Sequence, residues 1–328
     1  MQIFKNPNYD FIRWRWHAIA LSTLVILGGA AVVTLQGGLP LGIDFSGGTI
    51  VVVKFSAPVS EESVRGALDV VPGEKVVQSY GDPADSEMMV RLPQMVGDEE
   101  GASLEEGANA VLNALEQANV GEFEVIGTEI VGPVIGAELQ RKGIYATLAS
   151  LLGIMAYISF RFRFTFALGA VVAAFHDILV TLAFLTVFGY ELSLNVVAAL
   201  LTITGYSVND TIVVFDRVRE NFRFMRRDLL EQVVNRSVNQ TLGRTVITSV
   251  TTGLAVFVLF LYGGEVLRGF AFTMLVGIMS GTYSTVFIAA ATAILLSQRR
   301  SAARTERPSS RPAAVVRPRK PGRKARAS

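Results

Sequence analysis

The sequence predicts a polytopic α-helical membrane protein of six transmembrane helices, with one α+β domain of ferredoxin-like order inserted between helices 1 and 2. Three observations carry that expectation. Hydrophobic residues fill 51% of the 328 positions and the mean hydropathy is +0.43, an excess that a soluble enzyme does not need. Six apolar runs of about 20 residues punctuate the chain, each long enough to cross hydrocarbon roughly 30 Å thick at the helical rise. Between the first two runs, residues 37–141 hold eighteen acidic against five basic side chains, a net charge of −13, and alternate like a soluble domain.

Residues 1–16 carry Lys5, Arg13 and Arg15 against the single acid Asp10 and should stay cytoplasmic, with helix 1 following at about 17–36. A basic start before an apolar run also describes a cleaved secretory signal. The run outlasts a usual signal core, however, and GGLPLGIDF follows without a small-residue cleavage site, so it is read as a retained span.

Within 37–141, TIVVVKFS reads as a strand, SEESVRGALDVV as a helix with Ser60 as N-cap, and EKVVQSY and EMMVRLP as two strands. SLEEGANAVLNALEQAN follows as a helix capped by Ser103, and EFEVIGTEIV as a last strand. That order, βαββαβ, is the split-βαβ arrangement. GIDFSGG puts Gly42, Asp44, Gly47 and Gly48 where the chain leaves the membrane, and its glycines predict a tight turn with close backbone approach. As a phosphate loop the segment fails, lacking GxxxxGK[ST] and a following helix.

Residues 142–296 supply five more helices, at about 143–160, 165–188, 193–216, 240–262 and 269–296. The N-terminus, the Arg161/Arg163 turn, the Arg217 to Arg244 segment and the tail after Gln298 are rich in arginine and share one side if the spans alternate. The positive-inside rule makes that side cytoplasmic and leaves the acidic domain and the GYELS and GGEVLR turns outside. The tail, 297–328, holds eleven basic residues against one acid, a composition expected to be disordered. It reads as an anchor near anionic lipid or as an RNA contact; without aromatics or a fold it predicts no specific nucleic-acid site.

The sequence contains no cysteine, which removes disulfides, thiolate catalysis and cysteine metal sites. Its two histidines, His17 at a membrane boundary and His176 inside a span, build no metal or hydrolase constellation, and no nucleophile stands beside a base. The costly residue is Asp210 in LSLNVVAALLTITGYSVNDTIVVFDRVRE, about 10 Å below the basic edge at Arg217. An intramembrane carboxylate costs a few kcal/mol to insert and is a functional candidate by default. Arg244, His176 and Asp177 are its candidate partners. Asn195, Thr202, Tyr206 and Asn209 form a polar stripe on helix 4, with Asp210 at its edge; Thr241, Thr245, Thr248 and Thr252 repeat along one face of helix 5. Facing one another, the stripes would make a wet or proton-conducting seam, or would simply help the helices pack. An Asp210–Arg244 pair could be structural. A proton carrier would instead need the arginine to move, because a carboxylate's proton affinity depends on the cation beside it. His176 and Asp177 point about 100° apart on helix 3 and read as packing or as a secondary relay.

GIDFSGG (42–48), VGPVIGAEL (131–139), the pair His176 and Asp177, GYSVNDTIVVFDRVRE (205–220) and NQTLGRTVITS (239–249) occur in that order with six spans. Together they resemble the SecD/SecF family of bacterial protein-export proteins, on the SecF side, itself related to the RND transporters. The resemblance covers roughly residues 10–296 and leaves the basic tail outside. It implies an RND-like half with a periplasmic domain in the inner membrane, both termini cytoplasmic. It further implies pairing with SecD into a twelve-span assembly beside the SecYEG channel, with YajC and YidC as further neighbours. Such an assembly uses the proton gradient to draw unfolded exported polypeptide outward after the SecA-driven steps. Protons are then the coupling ion, and no other cofactor is implied. Carried over by motif, Asp210 in SVNDT matches the family's proton-pathway aspartate and Arg244 in TLGRT its transmembrane arginine, with Asn209, Tyr206, Thr248, His176 and Asp177 in support. Two other readings compete: a passive assembly scaffold, and an RND-type exporter of lipids or small hydrophobic molecules, a class that normally carries two large external domains and twelve spans in one chain.

Overall fold

The computed structural model describes residues 7–72, 75–81, 85–92, 102–162 and 164–305. In chain order they form α1 (Arg15–Leu35), a single turn α2 (Ile43–Ser46), β1 (Gly48–Phe55), α3 (Glu61–Ala67), β2 (Val76–Tyr80), β3 (Glu87–Leu92), α4 (Ala102–Gln117) and β4 (Phe123–Val131). The helices α5 (Pro133–Arg161), α6 (Phe164–Val187), α7 (Leu194–Phe224) and α8 (Leu230–Tyr262) follow, then α9 (Gly264–Ser284), a π-turn (Thr285–Ala289) and α10 (Ala290–Thr305). Six helices are long and apolar enough to cross a membrane, the sixth built from α9, the π-turn and the start of α10.

The α+β domain has the expected βαββαβ order, and its sheet runs β2-β3-β1-β4 with every pairing antiparallel. Alternation on β1 sends Val51, Val53 and Phe55 to one face, where Val64, Leu68, Val111 and Leu115 from the helical side complete a buried core. Ser60 caps α3 as predicted, its Oγ accepting the Ser63 N–H at 3.2 Å. The proposed cap at Ser103 falls on a side chain outside the described residues.

Three boundaries differ from the sequence expectation. The domain ends near 132 rather than 141, because Pro133 opens α5 at its first turn and Glu138 and Lys142 pair at i,i+4 (2.8 Å), so the amphiphilic segment is already helix. The basic segment from Arg217 to Arg244 is also mostly helical, broken only at 225–229. Asn221 there donates to Ser237 and to Gln240, both at 2.8 Å, while Asn235 and Asn239 grip the backbone of Tyr9 and Phe11 from the N-terminal segment. Finally, the last helix continues to Thr305, so the tail's first residues, SQRRSAART, extend it instead of being disordered; alanine and arginine are good helix formers. The remainder of the tail, 306–328, and Arg163 lie outside the described residues.

The bundle has an inner and an outer set of helices. The most apolar stretch of α6 is 61% buried and that of the sixth span 67%, against 17%, 6% and 11% for α1, α5 and α8. Helix α7, at 44%, stands between the two sets. Small residues allow the inner helices to touch. A Cβ added at Gly281 would lie 2.9 Å from the Ser207 Cβ, one at Gly169 would lie 2.9 Å from the Ala289 carbonyl oxygen, and one at Gly277 would overlap Ile203.

Candidate functional site

Helix α7 presents Asp210 toward α8, where the Thr245 hydroxyl donates to Oδ1 at 2.6 Å. The two helices meet here, with Thr245 the stripe residue that reaches the acid, but the stripes as a whole do not face one another: Asn195, Thr202, Asn209 and Thr248 are exposed. The second carboxylate oxygen, Oδ2, is enclosed without a hydrogen-bond partner, and so is the hydroxyl of Tyr206 one turn earlier. The nearby Thr285 hydroxyl is engaged by Thr211 at 2.9 Å. Thr285 opens the π-turn of the sixth span, a local irregularity of the kind often found at functional positions.

Arg244 acts on Asp210 through space but forms no ion pair with it among the described residues. Adjacent to Thr245, it projects about 100° away around α8 and is exposed. Thr202, Asn209 and Thr248 are exposed as well, so polar side chains and a guanidinium stand on the outer surface of two membrane-spanning helices.

His176 and Asp177 do not meet Asp210. Asp177 is 0% exposed and accepts hydrogen bonds from Ser207 of α7 (2.6 Å) and from Ser280 and Ser284 of α9 (2.7 Å each). His176 lies beside it, Nδ1 to Oδ1 at 3.1 Å. These serines were not singled out from the sequence; the available signal was the i,i+4 spacing of Ser280 and Ser284 in an otherwise apolar span.

The GIDFSGG segment is a joint between the α+β domain and the bundle. Gly47 and Gly48 adopt φ of +71° and +134°, conformations that favour glycine. Gly42 N–H donates to the Leu192 carbonyl at 2.8 Å, and Leu192 N–H returns to Pro40 at 2.7 Å. Asp44 Oδ2 accepts from the N–H of Leu194 at 2.8 Å, capping the first residue of α7. From β3, Arg91 donates to the Leu41 carbonyl (2.7 Å) and to Ser46 (3.1 Å) and pairs with Glu191, just ahead of α7. The described residues hold no cluster of His, Cys, Asp and Glu suited to a metal.

Six helices able to span a membrane, a ferredoxin-like domain inserted after the first, and acids held inside the bundle on α6 and α7 define a multi-pass membrane protein of a transport class. The model of the family described as protein export membrane protein SecD/SecF, C-terminal, matches residues 110–299, and that of the SecD/SecF GG motif matches 32–59. The protein translocase subunit SecF of Magnetococcus marinus is 44% identical over 93% of this chain and 98% of its own length, and that of Escherichia coli O157:H7 is 39% identical over 89% of each. The crystal structure of SecDF from Thermus, described as a translocon-associated membrane protein, superposes with a TM-score of 0.78 at 35% identity over 90% of this chain. The present chain spans 39% of that longer SecDF chain. It belongs to the SecF side of the SecD/SecF family of protein-export membrane proteins.

Proposed function

We propose that this chain is the SecF half of a proton-driven motor that, with a SecD half, completes the outward movement of preproteins through SecYEG after the SecA-driven steps. Its home is then the bacterial inner membrane, with both termini cytoplasmic and the α+β domain periplasmic. The observation that carries the reading is Asp210: a membrane-embedded acid with one oxygen held by Thr245, the other enclosed and unpartnered, and an arginine close by but not bound. An acid in that setting can change its protonation state without first breaking a locked ion pair. One proton descending 100 mV releases about 2.3 kcal/mol, roughly a fiftyfold bias between two states.

Helix α7 carries that acid at mid-length, its first residue, Leu194, donates to Asp44 of the joint, and Leu41 pairs with Leu192 just ahead of it, so a displacement of α7 would be passed to the domain. The exposed Asn209 and Arg244 favour a protein partner there, since lipid cannot satisfy them, whereas the neighbouring Thr202 and Thr248 hydroxyls donate to carbonyls of their own helices. We assign that surface to SecD, and the basic tail to anionic lipid, with YajC and YidC as further neighbours. Complementation of a SecF-depleted cell tests the reading. Asp210→Asn should assemble normally yet lose the proton-dependent part of export, whereas full restoration of export by that variant would leave a passive scaffold as the better account.

A further inference from the structure

We propose that His176 and Asp177 form a second proton-binding site of the bundle, which takes up and releases its proton at His176 Nε2. The inference extends the proton-driven reading, but does not require Asp210 to be the exchange partner.

Asp177 Oδ1 faces Ser280 at 2.7 Å and His176 Nδ1 at 3.1 Å; Oδ2 faces Ser207 at 2.6 Å and Ser284 at 2.7 Å. Four donors fill the four acceptor positions of an ionised carboxylate. The side chain is 0% exposed, and His176 is its only ion-pair partner among the described residues. A lone negative charge so placed in a membrane span is costly, and a proton on the imidazole cancels it.

The other ring nitrogen, Nε2, is where that proton would sit. His176 is 8% exposed and its Nε2 has no hydrogen-bond partner. A histidine serving only to hold helices together would be expected to have Nε2 fixed by a donor or an acceptor. Here neither form is fixed: protonated, Nε2–H lacks an acceptor; deprotonated, its lone pair lacks a donor. The Nδ1–H to Oδ1 contact survives in both forms. On loading, Nε2 gains one proton and the pair goes from a net charge of −1 to zero; release reverses this, and no other atom changes its proton count.

Tyr283 of α9 stacks on the imidazole at 6.2 Å between ring centres, and its hydroxyl donates to the Ala18 carbonyl of α1 at 2.7 Å. From α7 come Ser207 and, three residues on, Asp210. The charged residues of α1 and α5 lie toward the helix ends: Arg15 paired with Glu231, Glu138 with Lys142, and Arg141 and Arg161. The arginines of α10 follow its last apolar residues. Ser207 links the pair to α7, so a change of charge on it acts on the helix that carries Asp210.

The sequence has two histidines, which makes the test direct. The full chain, labelled with ¹⁵N-histidine and reconstituted in lipid nanodiscs, gives two imidazoles, and His17→Gln identifies which is which. The His176 Nε2 resonance should move between its protonated and deprotonated positions as pH is varied. Asp177→Asn, which removes the facing negative charge, should shift the midpoint of that change. Ser280→Ala, which keeps the carboxylate, should shift it measurably too, and serves if the first variant does not fold. An Nε2 that keeps one protonation state throughout, or a midpoint indifferent to both substitutions, would overturn the proposal. Because the readout involves no transport, its failure is separable from loss of export in Asp210→Asn.

Discussion

At the scale of the residue, two acids share the bundle and are held very differently. Asp177 is saturated by three serines from two neighbouring helices and by His176, while Asp210 is held by Thr245, lies beside Thr285 and keeps one oxygen without a hydrogen bond. Asp44, outside the spans, works as a cap donated by a distant segment. Asp44→Ala should cost about 1 kcal/mol, read as a lower unfolding midpoint and faster amide exchange in the first turn of α7. Unchanged exchange at Leu194 would remove Asp44 from the joint. In the α+β domain, the N–H and hydroxyl of Ser79, each at 2.9 Å, hold the Glu61 carboxyl below its usual range. The folded state thus binds that proton more weakly than the unfolded chain. Its stabilising share is complete above the unfolded value and disappears as pH falls through the folded one. Glu61→Gln should therefore be slightly less stable than the wild type near neutrality, and the difference should close in acid; denaturation curves at several pH values will show whether the gap is constant instead.

At the scale of the element, glycine spacing decides how closely the inner helices approach. Gly281→Ala would place a methyl 2.9 Å from the Ser207 Cβ and push α7 from α9, weakening the contact of Ser207 with Asp177. We expect a loss of 1–3 kcal/mol, about the usual cost of overpacking, in detergent unfolding experiments. An unaltered midpoint would mean that the helices can part without penalty. Element type was legible in the sequence because apolar runs and strict alternation are strong local signals: all four strands, both domain helices and the six spans were found. Apart from the Ser60 cap of α3, helix ends were not. Asn221 reaching Ser237, or Asn239 reaching Tyr9, are contacts between distant positions that extend α7 and α8, and no local pattern announces them. The same holds for the site. Asp210 stood out by its insertion cost, but the serine cage of Asp177 depends on which faces of α7 and α9 turn toward α6.

At the scale of the whole molecule, the joint around GIDFSGG connects the external domain to α7 through Asp44, Leu41 and Arg91. Arg91→Ala should leave assembly intact while uncoupling the two parts, seen as reduced export with Asp210 still titrating. The outer surface makes a matching claim. With no native cysteine to interfere, single cysteines placed at Thr248 and at Asn209 should cross-link to a SecD partner, whereas cysteines on the lipid-facing side of α5, such as at Leu152, should not. The account as a whole depends on Asp210 exchanging a proton inside the membrane. Infrared difference spectroscopy of the reconstituted chain with its SecD partner measures this most directly, by following the carboxyl band that Asp210→Asn removes. We predict that this band appears and vanishes as pH is cycled; a carboxylate that stays ionised at every pH at which the protein remains folded would contradict the account.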